Sequence, residues 1–381
     1  MRTIKAGIIG TGFVGPAHVE AARRLGFVDM AAVCEAGDDL ARAKAAQLHI
    51  SRPYGSVEQL LADKEIEVVH NCTPNHLHFE IGKKIIAAGK HVISEKPLAM
   101  TSAESGELLR LAKQAGVIHA INFNYRYYPL VQEARDMVSS GRLGDLFHIN
   151  GSYTQDWLFL PTDWNWRLVP QFSGESRAIA DIGSHWCDCI QFITGRKIVK
   201  VLADLRTIHP QRMKPKKEVE TYAGKVLQPS DYEPVPIHTE DYANVIFELD
   251  NGCAGSFSVS QVFAGRKNRM FFEIAGSKCS VAWDQERPNE MWIGRREKAN
   301  EILVKDPSLL SARARAYSHY PGGHQEGFPD GIKNFLLKVY TRVATGGAEA
   351  DYSTFEDGHY EIAICEAVLA SSKSKRWEKV G

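Results

Sequence analysis

The sequence has no excess of charge of either sign, since Lys and Arg together number 46 and Asp and Glu together number 46. Such a balance offers no electrostatic footprint for a polyanionic partner such as nucleic acid. No apolar run approaches the roughly 18 residues that a membrane-spanning helix needs. The opening residues 1–5 also lack the apolar region of a signal peptide. We therefore expect a cytoplasmic protein with neither nucleic acid nor a membrane as partner.

Cysteine is scarce, and its distribution argues against a metal centre. Of the seven cysteines, only Cys187 and Cys189 are close together. A Cys-x-Cys pair without a second pair is a poor zinc signal. We expect no metal site, and we expect the cysteines to be reduced thiols, as is usual in the cytosol.

Strand and helix patterns alternate through the first 120 residues. Capping boxes begin at Ser56 and Thr101. Helices are predicted to end at Gly89 and Gly116, because glycine accepts the left-handed conformation after a helix. This alternation predicts an α/β domain with a doubly wound parallel sheet over residues 1–122. The strand-like runs are Ala6–Ile9, Met30–Cys34, Glu67–Cys72, His91–Ser94 and Val117–Asn122.

The remainder, residues 123–381, has a different pattern. Strand-like runs with period-two alternation are joined by turn residues, such as Asn251-Gly252, which tolerate the positive φ angles of tight hairpins. We predict a mostly antiparallel α+β domain with long loops at 209–238 and 306–329. Predicted strands are 200–207, 242–249, 254–262, 270–275 and 279–283, and predicted helices are 129–139, 180–194, 330–344 and 355–372.

A glycine-rich run follows the first predicted strand. It reads Gly10-Thr11-Gly12-Phe13-Val14-Gly15 and opens a predicted helix. In this pattern the first glycine permits a tight turn, the second lets the backbone approach a pyrophosphate, and the third allows close packing of helix and strand. The free N–H groups at the helix N-terminus attract phosphate. The pattern predicts a dinucleotide site, and the alternative is a plain glycine-rich turn.

Glu35 ends the second predicted strand, about 20 residues after the glycine run, where an acid receives the ribose 2′-hydroxyl. A carboxylate there repels a 2′-phosphate, and no Arg or Lys follows before Arg42. We therefore expect NAD rather than NADP as the cofactor. The alternative is a solvated surface glutamate.

Five motifs in fixed order resemble the glucose–fructose oxidoreductase / inositol dehydrogenase / rhizopine catabolism (Gfo/Idh/MocA) family, over nearly the whole chain. The resemblance implies an N-terminal Rossmann domain, a C-terminal domain with a large, mostly antiparallel open sheet, and a homodimer or homotetramer assembled partly through that sheet. The motifs are Gly10–Gly15, Cys72-Thr73-Pro74-Asn75-His76-Leu77-His78, Glu95-Lys96-Pro97, Asn124-Tyr125-Arg126-Tyr127-Tyr128-Pro129 and Asp181-Ile182-Gly183-Ser184-His185-Trp186-Cys187-Asp188.

The resemblance also implies further contacts to the cofactor. The run Cys72-Thr73-Pro74-Asn75 closes a strand at the carboxyl edge of the sheet, where such sheets bind ligands. His78 lies close to the cofactor in the family, and the alternative is a histidine on the helix surface. The other cofactor-binding residues implied are Glu95, Lys96, Asn124, Trp166 and Arg167.

Three residues are candidates for catalysis. Lys96 follows a strand end, where its ammonium group could stabilise a developing alkoxide, and the alternative is a salt-bridged turn lysine. Asp181 and His185 are spaced to share one face of a helix. His185 could accept the hydroxyl proton as a general base, and Asp181 could bind a substrate hydroxyl or orient the imidazole. The alternative is a helix-dipole acid and a core histidine.

Residues that suit a carbohydrate lie around these candidates. Indole, amide and imidazole groups suit the apolar faces and hydroxyls of a sugar, and the alternative is an aromatic core cluster. His324 lies in a loop with two glycines, which could equally bind no ligand. The predicted substrate-binding residues are Lys96, Tyr125, Gln155, Trp166, Asp181, His185 and His324.

These observations predict an NAD-dependent dehydrogenase that oxidises a secondary hydroxyl of a sugar, inositol or related polyol. Two alternatives stay open. One is an enzyme that retains NAD and uses internal redox for glycoside cleavage or sugar–sugar oxidoreduction. The other is a non-catalytic nucleotide sensor, which would be expected to have lost Lys96 or His185.

Overall fold

The computed structural model describes residues 1–216, 229–347 and 350–381. The chain forms two compact units, the first comprising Met1–Tyr127 with Phe328–Ile362 and the second Tyr128–Gly327 with Ala363–Gly381. The sequence predicted a single boundary after residue 122, whereas the structure returns residues 328–362 to the first unit. Polar contacts hold this return, including a partly buried ion pair of 2.6 Å between Arg24 and Asp330.

The first unit is built around a six-stranded parallel sheet with strand order β3-β2-β1-β4-β5-β6. This is the order of a dinucleotide-binding sheet, with its topological switch point between β1 and β4. Its elements through residue 121 are β1 Ile4–Ile9, α1 Gly15–Arg23, β2 Val28–Cys34, α2 Asp38–Leu48, β3 Arg52–Tyr54, α3 Val57–Ala62, β4 Val68–Asn71, α4 Asn75–Ala87, β5 His91–Ser94, α5 Ser102–Ala115 and β6 His119–Ile121.

Local sequence explains where these helices begin and end. The hydroxyls of Ser56 and Thr101 accept hydrogen bonds from backbone N–H groups three residues later, as the capping boxes predict. Gly116 ends α5 with a φ of 64°. Apolar side chains of the strands and helices, such as Ile85 and Leu108, form one buried core. This core fixes the strands relative to one another, and ligands of such folds bind at the carboxyl ends of the strands.

The second unit contains a nine-stranded sheet with order β16-β15-β14-β13-β7-β12-β11-β8-β17. All pairs are antiparallel except β7 with β12, which is parallel. The predicted fold class is therefore confirmed. The remaining elements of the chain are α6 Pro129–Ser139, β7 Leu146–Thr154, α7 Pro170–Ser173, α8 Ser184–Thr194, β8 Ile198–Arg206, β9 Gln211–Pro215, β10 Tyr232–Pro236, β11 Tyr242–Leu249, β12 Ala254–Ser260, β13 Arg269–Gly276, β14 Ser280–Asp284, β15 Glu290–Gly294, β16 Glu301–Val304, α9 Ala312–Arg315, α10 Phe328–Thr345, α11 Phe355–Ser374 and β17 Glu378–Lys379.

Three segments of the second unit differ from the predictions. The predicted loop 209–238 contains the antiparallel pair β9 and β10, while its residues 217–228 lie outside the described part of the chain. The predicted loop 306–329 contains α9. The helix predicted over 180–194 begins as a π-helical turn, Ile179–Gly183. Period-two alternation detects strands in a large sheet, but it does not register a short ribbon with three prolines in its strands.

Among the helices that the structure describes, none has both the length and the apolar composition that crossing a membrane requires.

Candidate active site

The three glycines of the N-terminal loop occupy three different environments. Gly10 has a φ of +84°, and a Cβ there would lie 2.9 Å from the Cys72 carbonyl oxygen. A Cβ on Gly15 would lie 2.5 Å from the Gly10 carbonyl oxygen. A Cβ on Gly12 would meet no protein atom within 4 Å. Gly10 and Gly15 are thus required by the turn and its packing, whereas Gly12 faces open space, which fits the approach of a pyrophosphate.

Glu35 lies beside this loop. Its Oε1 accepts a hydrogen bond from the Thr11 backbone N–H at 2.6 Å and another from the Thr11 hydroxyl. Its Oε2 has no hydrogen-bond partner in the described part of the chain. The carboxylate is therefore anchored through one oxygen and presents the other, which fits the hydroxyl of an adenosine ribose.

The turn Cys72–Asn75 is fixed at the adjacent strand end. The Cys72 N–H donates to the Ile9 carbonyl at 2.9 Å, and Pro74 precedes the first residue of α4, Asn75. The predicted turn at the carboxyl edge of the sheet is thus present. Together with the glycine loop and Glu35, it lies at the strand ends where such sheets bind dinucleotides, and the individual contacts to the cofactor remain predictions.

His78 is buried, being 1% exposed, which rules out the alternative of a surface histidine. Its Nδ1 lies 2.6 Å from the Pro97 carbonyl oxygen, and its Nε2 lies 2.7 Å from the Thr73 carbonyl oxygen. Burial lowers the pKa of His78, while the two carbonyl acceptors act in the opposite direction and favour a ring that carries a proton on each nitrogen. His78 therefore joins the two turns predicted to contact the cofactor, and its own contact with the cofactor remains a prediction.

Lys96 follows β5, and the residue before it is buried. Glu95 donates its backbone N–H to the Asn71 carbonyl at 2.9 Å, and its Oε1 accepts from the Asn122 amide at 2.6 Å. Its other oxygen lies 3.3 Å from the Lys96 backbone nitrogen. The backbone that carries Lys96 is thus tied to the end of the neighbouring strand β4 and to the Glu95 carboxylate, which limits the positions open to the ammonium group.

A buried histidine pair extends this arrangement. His18 Nε2 lies 2.8 Å from Glu95 Oε1, and its Nδ1 lies 2.8 Å from His70 Nδ1. The His70 Nε2 atom is 2.6 Å from the Tyr340 hydroxyl. Sequence reasoning missed this network. The available signal was that His18 and His70 interrupt the apolar faces of α1 and β4.

The charges of this network follow from its surroundings. Burial favours a neutral His18, but the Cys72 sulfur and the Glu95 carboxylate outweigh burial and raise the pKa of His18. Burial favours a protonated Glu95, but hydrogen bonds from His18 and Asn122 lower the pKa of Glu95 to about 2. Burial and then the charge of His18 lower the pKa of His70 well below its usual range. His18 is therefore the cationic donor to both Glu95 and a neutral His70.

Asn124 and Tyr125 lie in a single 3₁₀ turn, Asn124–Tyr127, and both are buried. The Asn124 Nδ2 atom is buried and has no hydrogen-bond partner among the residues that the structure describes. Buried amides are normally satisfied. An Asn124 amide nitrogen without a protein acceptor can donate to a ligand, which agrees with the predicted cofactor role of Asn124.

In the second unit, Asp181 lies in the π-helical turn and His185 lies one turn later, at the start of α8. Trp186 fixes α8 against the sheet. Its ring stacks on Phe257 with centroids 4.4 Å apart, and its Nε1 donates to the Phe271 carbonyl at 2.9 Å. Because Trp186 faces the sheet, the backbone of its neighbour His185 has a fixed position.

The first turn of this helix is wider than the α-helix that the spacing predicted. Glu240 binds its N-terminal end, accepting from the Arg177 N–H at 2.8 Å and the Ile179 N–H at 3.0 Å. Single π-helical turns are rare in proteins overall, but those that occur are often found at functional sites. The structure thus gives Asp181 a local backbone that the sequence pattern did not reveal.

The Asp181 carboxylate has a protein donor near each oxygen. Gln261 Nε2 donates to Oδ2 at 2.8 Å, and Arg167 Nε lies 3.4 Å from Oδ1. The Arg167 guanidinium also lies over the Trp166 ring, 4.5 Å from its centroid. Arg167 of the predicted Trp166-Arg167 pair therefore lies between the Trp166 ring and the Asp181 carboxylate, contacting both. Gln261 was not predicted, because nothing in the pattern of the predicted strand 254–262 distinguishes it.

The other predicted substrate residues lie in different surroundings. The Gln155 amide donates to Asn268 at 2.8 Å and accepts from Trp157 Nε1 at 2.8 Å. His324 lines a cavity together with residues 286–290 and 304–305, and neither Asp181 nor His185 is among its lining residues. Substrate contacts of Gln155 and His324 remain predictions. Within the described residues, no group of His, Cys, Asp and Glu side chains is arranged to hold a metal ion.

Two family models match the chain. The model of an oxidoreductase family with an NAD-binding Rossmann fold covers residues 4–123, and that of the GFO/IDH/MocA C-terminal domain covers residues 131–282. The chain therefore belongs to the Gfo/Idh/MocA oxidoreductase family, and NAD is its cofactor. The resemblance drawn from the motifs is confirmed.

Individual relatives agree with this assignment. The levoglucosan dehydrogenase of Pseudarthrobacter phenanthrenivorans is 32% identical over 399 residues, covering 100% of this chain and 99% of the relative. A solved levoglucosan dehydrogenase in complex with NADH and levoglucosan, and another in complex with NADH and L-sorbose, each superpose with a TM-score of 0.89 at 26% identity. Each superposition covers 100% of this chain and 100% of the solved chain.

Proposed function

We propose that the chain oxidises one secondary hydroxyl of a neutral sugar or polyol, with an anhydro sugar as the first candidate, and reduces NAD. The observation that carries this proposal is the Asp181 carboxylate, oriented by Gln261 and Arg167, one helical turn before His185. A fixed carboxylate acceptor beside an imidazole suits a substrate that offers several hydroxyl donors.

Each candidate residue has one role in the proposed reaction. His185 accepts the hydroxyl proton on an imidazole nitrogen, and in the reverse direction it returns that proton. Lys96 donates a hydrogen bond to the same oxygen as negative charge develops on it. Asp181 accepts a hydrogen bond from a substrate hydroxyl. NAD, held by the first unit, supplies the acceptor for the hydride.

Two observations support a neutral sugar. The second unit shows no sequence pattern of a phosphate clamp, and Asp181 would repel an anionic group. A relative that is 32% identical over its full length is a levoglucosan dehydrogenase, and similar structures contain levoglucosan or L-sorbose with NADH. An anhydro sugar resembles both ligands in carrying several adjacent hydroxyls on a compact ring.

The test is a direct assay. The purified chain is mixed with NAD and a panel of anhydro sugars, aldoses, inositols and glycosides, and formation of reduced nicotinamide is followed by absorbance. We expect turnover of at least one polyol, abolished by Lys96→Ala and by His185→Ala. Lys84→Ala serves as the matched control, since Lys84 is a half-exposed lysine paired with Glu58.

The negative outcomes separate the alternatives. No net turnover, with nicotinamide retained through purification, would favour internal redox in glycoside cleavage or sugar–sugar exchange. No turnover, no retained cofactor and an unchanged biological role of Lys96→Ala would favour nucleotide sensing. Either result would overturn the proposal.

We further propose that the enzyme is cytoplasmic and forms a homodimer or homotetramer through the nine-stranded sheet. Exposed apolar side chains on its strands support this assembly, with Phe147 63% and Ile246 47% exposed. Light scattering on the purified chain measures the assembly, and a monomer at micromolar concentration would contradict it.

A further inference from the structure

Gln261 follows β12 and is wholly buried. Its backbone N–H donates to the Asp241 carbonyl at 2.9 Å, and its carbonyl accepts from the Leu158 N–H at 3.2 Å. The side chain therefore extends from a backbone held on both sides. A buried amide of this kind is costly unless every donor and acceptor is matched.

The orientation of this amide is determined by its neighbour. The Arg177 Nη1 donates to Gln261 Oε1 at 2.9 Å. A guanidinium has donors and no acceptor, so the amide oxygen must face Arg177 and the amide nitrogen must face away from it. The nitrogen lies 2.8 Å from Asp181 Oδ2. Asp181 is consequently the acceptor in this contact, as an ionised carboxylate is.

Arg177 has its own fixed position. It is fully buried, its Nε donates to the Thr239 hydroxyl at 3.0 Å, and its Nη2 forms an ion pair with Asp241. Asp241 also pairs with the buried Arg212 at 2.7 Å. Two guanidinium groups thus share one carboxylate. The amide of Gln261 connects this cationic cluster to Asp181, with its dipole oriented to favour negative charge there.

We propose that Gln261 is a positioning residue that keeps Asp181 ionised and oriented to bind a substrate hydroxyl. This inference rests on the proposed function, because the role of Asp181 toward a polyol is part of it. Gln261 donates to one oxygen of Asp181, and Arg167 lies near the other, so the plane of the carboxylate is fixed by both neighbours.

The most informative variant is Gln261→Glu. It keeps an acceptor for Arg177 and removes only the donor to Asp181. Two carboxylates at this separation repel each other when both are ionised, so the pair holds a shared proton at low pH and loses it only at alkaline pH. Relative to wild type, we expect the KM for the polyol to rise about 10- to 100-fold at alkaline pH, and the difference to shrink as the pH falls and the proton restores the bond.

Three controls separate positioning from general damage. The affinity for NADH, measured by fluorescence, should be unchanged. Gln191→Glu buries a carboxylate elsewhere in the second unit, since Gln191 is 6% exposed and accepts from the Ile198 N–H. It should show no pH-dependent change in KM. Asp181→Asn should abolish the pH-dependent penalty of Gln261→Glu, because an amide at 181 can donate to the new carboxylate.

The outcomes are distinct. The inference would be overturned if Gln261→Glu had the same kinetics as wild type at every pH. It would also be overturned if the rise in KM persisted in the Asp181→Asn background. In either case, turnover of a polyol by wild type would still uphold the proposed function. If wild type turned over no polyol, the melting temperatures of wild type, Gln261→Glu, Asp181→Asn and the double variant against pH would still measure the pairing. If the two substitutions were coupled in the melting temperatures but not in the KM values, Gln261 would have a structural role only, and its role in substrate recognition would be rejected.

Discussion

The His18 Nε2 atom lies 2.8 Å from Glu95 Oε1, and both side chains are buried within the first unit. His18 belongs to the helix that follows the glycine loop, and Glu95 precedes Lys96. One ion pair therefore connects the helix whose N-terminus is predicted to bind pyrophosphate with the strand end that carries the candidate catalytic lysine.

Replacing His18 by glutamine should destabilise the first unit by about 3–5 kcal/mol, because it leaves the buried Glu95 carboxylate without its cationic partner. His238→Gln, at an exposed histidine outside the nine-stranded sheet, is the matched control and should change little. The measurement is the melting temperature of wild type and both variants.

The pH dependence of this pair has a defined sign. The raised pKa of His18 means that its contribution is complete below the ordinary imidazole value of about 6.5 and is lost as the pH rises through the folded-state value. The lowered pKa of Glu95 means that its contribution is complete above about 4.5 and is lost as the pH falls toward about 2. The difference between wild type and His18→Gln should therefore be largest near pH 5–6, about the middle of that window. A difference independent of pH would contradict the ion pair.

Alanine at two glycines should separate stability from cofactor binding. Gly12→Ala adds a methyl group that meets no protein atom, so the melting temperature should stay near wild type while the affinity for NADH falls about tenfold or more. Gly15→Ala places a Cβ 2.5 Å from the Gly10 carbonyl oxygen and should lower the melting temperature as well. NADH fluorescence titration and thermal unfolding measure the two effects. Equal loss of stability in both variants would be inconsistent with this interpretation.

Glu35→Gln should weaken discrimination against NADP. The amide oxygen can still accept from Thr11, but the negative charge that repels a 2′-phosphate is removed. We expect the KM for NADP to fall and the KM for NAD to rise severalfold, with Glu58→Gln, at an exposed glutamate, as control. A wild-type KM lower for NADP than for NAD would show that Glu35 does not select the cofactor.

His185→Asn should lower kcat for polyol oxidation by about 10²- to 10⁴-fold, the usual contribution of a general base. The pH profile is the more specific measurement. The part of the profile that reports deprotonation of the base in wild type should be absent in the variant. Retention of the wild-type profile would assign the base to another group.

Much of the first unit could be predicted because its signals are local. Capping residues at Ser56 and Thr101 act within one helical turn, and the glycine loop requires particular backbone geometry at Gly10 and Gly15. The order of strands and helices follows from short-range hydrophobic periodicity. These features depend on neighbours a few residues away, so they can be inferred from sequence.

The contacts that define the candidate site were less accessible, since they join residues distant in the chain. Asp181 meets Gln261 eighty positions later, and His70 meets Tyr340 across 270 positions. The predicted boundary after residue 122 likewise missed the return of residues 328–362 to the first unit, because a helix pattern does not identify what the helix packs against.

The amino-acid sequence by itself thus determined the family, the cofactor class and the candidate groups Lys96, Asp181 and His185, since motif spacing and residue chemistry carry that information. Only the tertiary structure decided how those groups are held. Burial removes water as a competing partner, so the polarity of each contact depends on its neighbours in space. It is for this reason that Glu95 faces a cationic His18 and that Gln261 must donate to Asp181.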